Sequence, residues 1–492
     1  MKLRNPLFLL IALVLLARLL TLPILPLMDP TEGRYAVVSQ QMATTHDWVT
    51  PKVWIEGKLV PFLGKPPLFF WLAAGSMKIF GINEFAARLP SWFAMLATLL
   101  LMGYILRRYV DERTSWLAVG MTASCPVFLG LGGAVATDML LTFFVSGSVL
   151  TYLAFALETD ARVRHRWSLL LFVLLAAGFM TKGPVALALF GLPVLAWTIR
   201  YRKWRLLRHH AWGWGIALFL AFVVPWFWIC EARNPGFLKY FFVNENFLRF
   251  VTRNYGDRYG DGHVYPRGSA LFMLLVATAP WSIYAAWAWW RQRRESSWRR
   301  RDELVGMLFL GFLVPTLFWC LARQLLLTYL VPMVPLFCAW LAVLLPRSSL
   351  LCRRPVKVLA ATLATIAVAG SVAGVLVARE RSAKQIVVRG RLLTGSTLVF
   401  SRRVPYSGYF YGGEAVLAHP KWTAAATAER VLAMGSGTLM VIKRKDVEDV
   451  PAATREHLET VATQGAYVLL AGREQPEPSA AEVEPPAPPA IK

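Results

Sequence analysis

Stretches of mostly apolar residues recur through this chain, at about 6–27, 86–107, 114–133, 138–157, 167–181, 183–199, 211–231, 268–290, 304–321, 326–345 and 356–378. No other feature restricts its folding so tightly. A helix of ~20 apolar residues matches the hydrocarbon thickness of a bilayer. Lipid supplies no hydrogen-bond partners, so a spanning backbone must satisfy its own amides as helix. The chain is 56% hydrophobic over 492 residues and its mean hydropathy is +0.47, values outside the range of ordinary soluble domains. The expected class is an α-helical polytopic membrane protein.

Basic clusters orient the spans. Lys2 and Arg4 precede the first. Arg107, Arg108 and Arg113 follow the second, Arg162, Arg164 and Arg166 the fourth, and Arg200, Arg202, Lys203, Arg205 and Arg208 the sixth. "RQRRESSWRRRDE" follows the eighth and "RSSLLCRRPVK" the tenth. With eleven spans every cluster falls on one side, as the positive-inside rule requires. Gly and Pro breaks in 120–140 and 310–345 allow up to thirteen; either odd count puts the C-terminus outside. The first apolar run exceeds a signal-peptide core of ~7–15 residues and no A-x-A-like site follows, so an uncleaved helix starting in the cytoplasm is expected. The net charge of +24 is thereby assigned to inner loops. No nucleic-acid-binding signature accompanies it, so no nucleic-acid partner is expected. Five cysteines, none in a CxxC pair, support neither a disulfide framework nor a thiolate metal site.

Two outer loops, about 28–85 and 232–267, are long and aromatic. "FLKYFFVNENFLRF" (237–250) reads as an amphipathic helix in the headgroup layer, its Lys and Arg facing phosphates. "PPLFFWLAAGSMKIFG" (66–81) reads as a second surface or re-entrant piece. Residues 1–378 would form the membrane domain. Residues 379–473 change character: "TLVF", "GYFYGG", "GTLMVIKR" and "AYVLLAG" suggest strands, and "AAATAERVLAM" and "PAATREHLETVAT" helices, giving a small periplasmic α/β domain. The Pro-, Glu- and Ala-rich residues 474–492 are expected to be a disordered tail.

The charges where spans meet water carry the chemistry. In "MDPTEGRYAVVSQQMATTHDW" (28–48), Asp29, Pro30 and Glu32 have the spacing of a capping box, with Tyr35, Val38 and Met42 on one helix face. Capping accounts for Glu32 without catalysis; it leaves Arg34 unexplained. Asp138, in "GGAVATDMLLTFF", is either the N-cap of the fourth span or an acid facing a watery cavity. Lys65, in "FLGKPPLFFW", either snorkels or holds a lipid phosphate as a point charge. Lys182, Arg267, Arg323 and Tyr329 also stand at outer ends of spans, and several cations on one face suit an anionic substrate. His263 lacks a partner at metal-ligand spacing. No phosphate-binding P-loop, dinucleotide fingerprint or nucleophile elbow occurs.

"TEGRYAVVSQQM", "WVTPKV", "GKPPLFFW", "FAARLPSWF", "TDMLLTFF", "TKGPVAL", "GDGHVYPRG" and "LLLTYLVPMVPL" occur in the order seen in bacterial GT-C glycosyltransferases. Over about residues 6–345 the chain resembles the 4-amino-4-deoxy-L-arabinose (aminoarabinose) transferases that modify lipid A, and relatives in the protein-mannosyltransferase-like superfamily. The resemblance implies sugar transfer from a polyprenyl-phosphate carrier at the periplasmic face of the bacterial inner membrane, to lipid A or another periplasmic acceptor. It implies Glu32 or Asp29 as the first catalytic acid, Asp138 as the second, and Lys65, Arg267, Tyr329 and Arg34 around the donor phosphate. His263 resembles a histidine that contributes to a metal site in aminoarabinose transferases. Two departures bear on this. The usual Asp-Glu pair is Thr31-Glu32, and the usual acid before Lys-Pro is Gly64, which removes a partner for a divalent metal at His263. A protein O-glycosyltransferase of the same fold is the alternative. From another class the rival is a flippase of lipid-linked substrates, against which stands the lack of a repeat relating two halves.

Overall fold

The computed structural model describes residues 6–252, 258–259, 263–292, 302–345, 349–394, 397–413, 416–417, 422–435 and 437–473; the expected tail at 474–492 lies outside them. The chain divides into two compact units, residues 1–55 with 59–378, and residues 56–58 with 379–492.

Among the described residues, eight helices are long and apolar enough to cross a membrane: Glu84–Tyr109, Thr137–Leu157, Ala161–Lys182, Pro184–Tyr201, Trp212–Arg233, Glu303–Cys320, Leu327–Leu344 and Pro355–Arg381. Ser269–Ala277 and Trp281–Ala288 pass the same test only as a pair, bent by 99° just before and at Pro280, which has no amide hydrogen to donate; the pair is a ninth span if it crosses as one. Two expected spans are shorter than drawn from sequence. The first is the 15-residue helix Pro6–Leu20, after which Pro23 and Pro26 prevent regular continuation. Residues 114–133 hold two helices, Glu112–Ala123 and Pro126–Leu131, because Pro126 starts a new helix rather than extending the old one.

Local sequence sets the helix starts. The Asn83 side chain accepts the Ala86 amide at 2.9 Å, Asp111 that of Thr114 at 2.8 Å, and Asp160 that of Arg162 at 2.7 Å, each satisfying a donor the helix itself leaves open. Thr137–Leu157 is the central helix, 83% buried along its apolar window, whereas Trp212–Arg233 is 28% buried and belongs to the rim. The first turn of the central helix carries Asp138, so the bundle's most enclosed element delivers an acid to its own end.

The first outer loop is built from helix Thr31–Thr45, the strands Lys52–Ile55 and Lys58–Pro61, and helix Leu68–Phe80. Tyr35, Val38 and Met42 are buried as the helical spacing predicts. Leu68–Phe80 buries Phe69, Phe70, Ala73, Ala74 and Met77 and leaves Leu72, Ile79 and Phe80 exposed. In the second loop, Phe237–Val251 is helical with a π-helical centre over Tyr240–Leu248. Phe242, Val243 and Phe247 are exposed there, but Phe237, Phe241 and Glu245 are buried. Its polar side therefore includes an inward-facing acid, which a simple interfacial helix does not have.

In the second unit five strands pair in the order 416–417, 397–400, 438–443, 467–472, 458–464. The first two junctions are parallel and the last two antiparallel. Helix Ala424–Met434 covers the sheet through Ala424, Ala428 and Val431, packed with Met440 and Leu470. Two assignments from sequence change. "GYFYGG" lies in helix Tyr406–Gly412; Tyr406, Tyr409 and Phe410 are buried, which is a helical spacing. "PAATREHLETVAT" is helical only over Ala452–Glu456, and Leu458–Gln464 is an edge strand. Pairing with Tyr467–Gly472 across the Gly465 turn outweighs its local helical tendency.

Candidate active site

Helices Ala161–Lys182 and Pro184–Tyr201 meet at Gly183, whose φ of +77° and ψ of −148° suit glycine alone. A Cβ there would stand 2.5 Å from Phe241 Cζ. Pro184 then opens the next helix from its first position. This abrupt turn leaves Lys182 as the last residue of its helix, with the ammonium bonded to Asp138 Oδ1 and 3.9 Å from the centre of the Tyr329 ring. Thr328 donates to Asp138 Oδ2 at 3.2 Å. Lys182, Asp138 and Tyr329 are all buried.

Facing them is a second charged group. Lys65 donates to the Gly64 carbonyl at 2.7 Å and to Glu245 Oε1. Arg249 donates to the same Glu245 oxygen at 2.6 Å and to the Tyr329 hydroxyl at 3.3 Å. Burial pushes the Lys65 ammonium below its usual value, with Glu245 opposing and Arg249 adding to that push. Burial works against the Glu245 charge as well, but Lys65 and Arg249 hold it below the usual carboxylate range. Arg34 reaches the Tyr259 carbonyl and lies over the Tyr35 and Phe62 rings.

These groups wall two adjoining cavities. One, of about 240 Å³, is largely apolar, with Val185, Ala188, Phe247, Phe250, Phe318 and Trp319 in its lining. The other, of about 260 Å³, is polar, with Thr31, Arg34, Asp138, Tyr259 and His263 in its lining. Lys65, Lys182, Glu245, Arg249 and Tyr329 line both. An apolar slot, a cationic wall and a polar chamber thus follow one another. That sequence of environments fits an amphiphile with an anionic joint between a hydrocarbon tail and a polar head.

Of the residues singled out from sequence, Lys65, Asp138, Tyr329, Arg34 and His263 line the polar cavity. Glu32 does not, and its surroundings give it another task. It is buried; Oε1 accepts from Arg88 Nε at 2.8 Å and the Val135 amide at 3.1 Å. Oε2 accepts from Arg88 Nη2 at 3.1 Å and the Met28 amide at 2.9 Å. Arg88 also donates to the carbonyls of Leu22, Leu25 and Pro26. A carboxylate so occupied ties three chain segments together and lies outside the lining of both cavities. Asp29 is half-buried and outside the cavity lining. The helix begins at Thr31 after Pro30 without a side-chain cap, so the expected capping box is replaced by the Arg88 tie. Arg267 is exposed in the turn before Ser269 and lines neither cavity.

His263 is exposed, and Gly64 beside the cavity offers no ligating side chain. Among the described residues no group of three His, Cys, Asp or Glu converges to hold a metal ion. Among the described residues the donor set does not fit a metal at His263. Sequence reasoning missed Glu245 and Arg249 as cavity residues. Their i, i+4 spacing was visible, but their facing inward depends on the π-helical centre, which sequence did not reveal.

A search among solved structures places the chain beside ArnT from Cupriavidus metallidurans bound to undecaprenyl phosphate. The TM-score is 0.75 at 20% identity, over 94% of this chain and 97% of that one; against the apo form of the same protein it is 0.73. The chain shares the fold of that protein. Residues 64–229 match the family model described as dolichyl-phosphate-mannose-protein mannosyltransferase. The chain is 33% identical over 313 residues to the undecaprenyl phosphate-alpha-4-amino-4-deoxy-L-arabinose arabinosyl transferase of Pseudomonas aeruginosa (strain UCBPP-PA14), covering 62% of this chain and 53% of that protein. With the enzyme of the same description from Aeromonas salmonicida (strain A449) it shares 30% over 327 residues, 65% of this chain and 56% of that protein. The chain thus spans about half the length of these curated relatives.

Proposed function

We propose that this protein is a membrane glycosyltransferase that moves a sugar from a polyprenyl-phosphate carrier to an acceptor at the periplasmic face. 4-Amino-4-deoxy-L-arabinose is the sugar that the relatives' names favour, and lipid A is the acceptor expected from the resemblance in sequence. The observation that carries the reading is the wall of Lys65, Lys182, Arg249 and Tyr329 shared by an apolar and a polar cavity. The first isoprene units lie in the apolar slot, the phosphate against the wall, and the sugar in the polar chamber.

The acceptor oxygen attacks the anomeric carbon as the bond from that carbon to the phosphate oxygen breaks. The electron pair stays on the phosphate, which turns from a diester with one negative charge into a monoester with two. Cations fixed in advance beside that oxygen lower the barrier more than they stabilise the ground state. Attack from the face opposite the phosphate inverts the anomeric centre. Asp138, held by Lys182 and Thr328, orients a hydroxyl acceptor or takes its proton. A phosphate acceptor is already ionised and needs positioning alone.

Purified protein with radiolabelled polyprenyl-phosphate sugar, given lipid A, peptide or oligosaccharide in turn, tests the reading and separates the acceptors. Lys65→Ala is expected to lower kcat by about 10²–10³-fold, the usual cost of removing one preorganised charge-stabilising donor, with the fold retained by circular dichroism. Wild-type turnover in that variant ends the phosphate-wall reading.

A further inference from the structure

We infer that Glu245 is an internal counter-ion that competes with the substrate phosphate for Lys65 and Arg249, and so keeps the polyprenyl phosphate product from being held too tightly. The inference rests on the phosphate wall proposed above and assigns a residue within it.

One carboxylate oxygen of Glu245 accepts from both Lys65 and Arg249. A phosphate oxygen that reaches both cations arrives beside that carboxylate. Like charges brought together in a desolvated site repel, so the phosphate is bound against a built-in opponent. Among the described lining residues of the polar cavity, Arg34, Lys65, Lys182 and Arg249 face two carboxylates, Asp138 and Glu245. The excess of two positive charges equals the charge of a phosphate monoester and exceeds by one that of the phosphodiester donor. The wall is therefore matched to the leaving group as it forms. Without Glu245 the excess is three, and donor and product are both held more tightly.

A purely structural role predicts the reverse: with its anchor lost, the pair of cations would splay and phosphate affinity would fall. Glu245 is thus read as a positioning and affinity-setting residue, and the two roles differ in the sign of one measurement. The test is calorimetric titration of farnesyl phosphate, a short isoprenyl monoester, into detergent-solubilised full-length protein, wild type against Glu245→Gln. The glutamine keeps the shape and loses the charge. The variant is expected to bind about tenfold more tightly or better, and in the transfer assay to show a lower donor KM with a lower kcat as product release slows. Equal or weaker binding by Glu245→Gln overturns the inference while leaving the wall intact. Failure of the wild type to bind any isoprenyl phosphate overturns the wall itself, and the counter-ion with it. Should Glu245→Gln not fold, Glu245→Asp draws the charge back by one methylene; tighter binding than wild type supports the inference and weaker binding overturns it.

Discussion

Arg88 and Lys65 are both buried cations, yet their surroundings separate their roles. Arg88 directs its guanidinium at Glu32 and three carbonyls, none of which lines either cavity. Removing one partner of such a buried pair leaves an uncompensated charge and costs about 3–5 kcal/mol. Glu32→Gln is therefore expected to lower the melting temperature in detergent markedly, and a near-wild-type melt would show that the tie is not what holds the loop. Glu158, between two spans, gives a prediction in pH. It accepts from the Tyr109 hydroxyl at 2.6 Å and Arg108 at 2.8 Å, and from the amides of Thr159 and Asp160. The Tyr109 bond first, then the amides and Arg108, hold its pKa down at about 2. A depressed carboxylate contributes stability above its unfolded value, about 4.5, and loses it as pH falls toward 2. Thermal stability should drop between pH 5 and pH 2 less steeply in Glu158→Gln than in wild type (about the range between the two pKa values). Parallel pH curves would remove Glu158 from the acid response.

At the scale of elements, the junction of Lys182, Gly183 and Pro184 makes the site. Two helices meet without a loop because Gly183 adopts a backbone that side chains disfavour. Gly183→Ala should cost about 1–3 kcal/mol of backbone strain, and the new methyl would press on the Phe241 ring. Because Phe241 belongs to the same π-helical segment as Glu245, the substitution is expected to weaken farnesyl phosphate binding as well as lower the melting temperature. A variant with full affinity would show that the two segments are not mechanically linked. The π-helical stretch places Glu245, and Arg249 just after it, on the cavity side while Phe242 and Val243 stay exposed.

Among the described spans, burial falls from 83% in the central helix Thr137–Leu157 to 28% in Trp212–Arg233 and 6% in Pro355–Arg381. The cavities lie where the central helix, the Lys182–Pro184 junction and both long loops meet. A lipid-borne substrate needs such an arrangement: apolar access on one side, water on the other, and fixed charge between them. Transfer activity should accordingly depend on the donor's isoprenoid portion. A water-soluble sugar phosphate without it is expected to be a poor donor in the labelled-sugar assay, and equal turnover of the two would mean that the apolar cavity plays no part.

The sequence by itself determined that this is a polytopic helical membrane protein, because apolar length and the placement of basic clusters are local and additive quantities. It also singled out Lys65, Asp138, Arg34 and Tyr329, since charges and hydroxyls at the ends of apolar spans are conspicuous one at a time. Only the tertiary structure decided which charges share a cavity. Glu32 and Asp138 look alike in sequence, each an acid in a first helical turn, but Arg88, 56 residues on, claims one, and Lys182, 44 residues on, points the other into the polar chamber. Glu245 joins Lys65 across 180 residues. Pairing over such separations is fixed by packing of whole helices, which no local pattern of residues encodes.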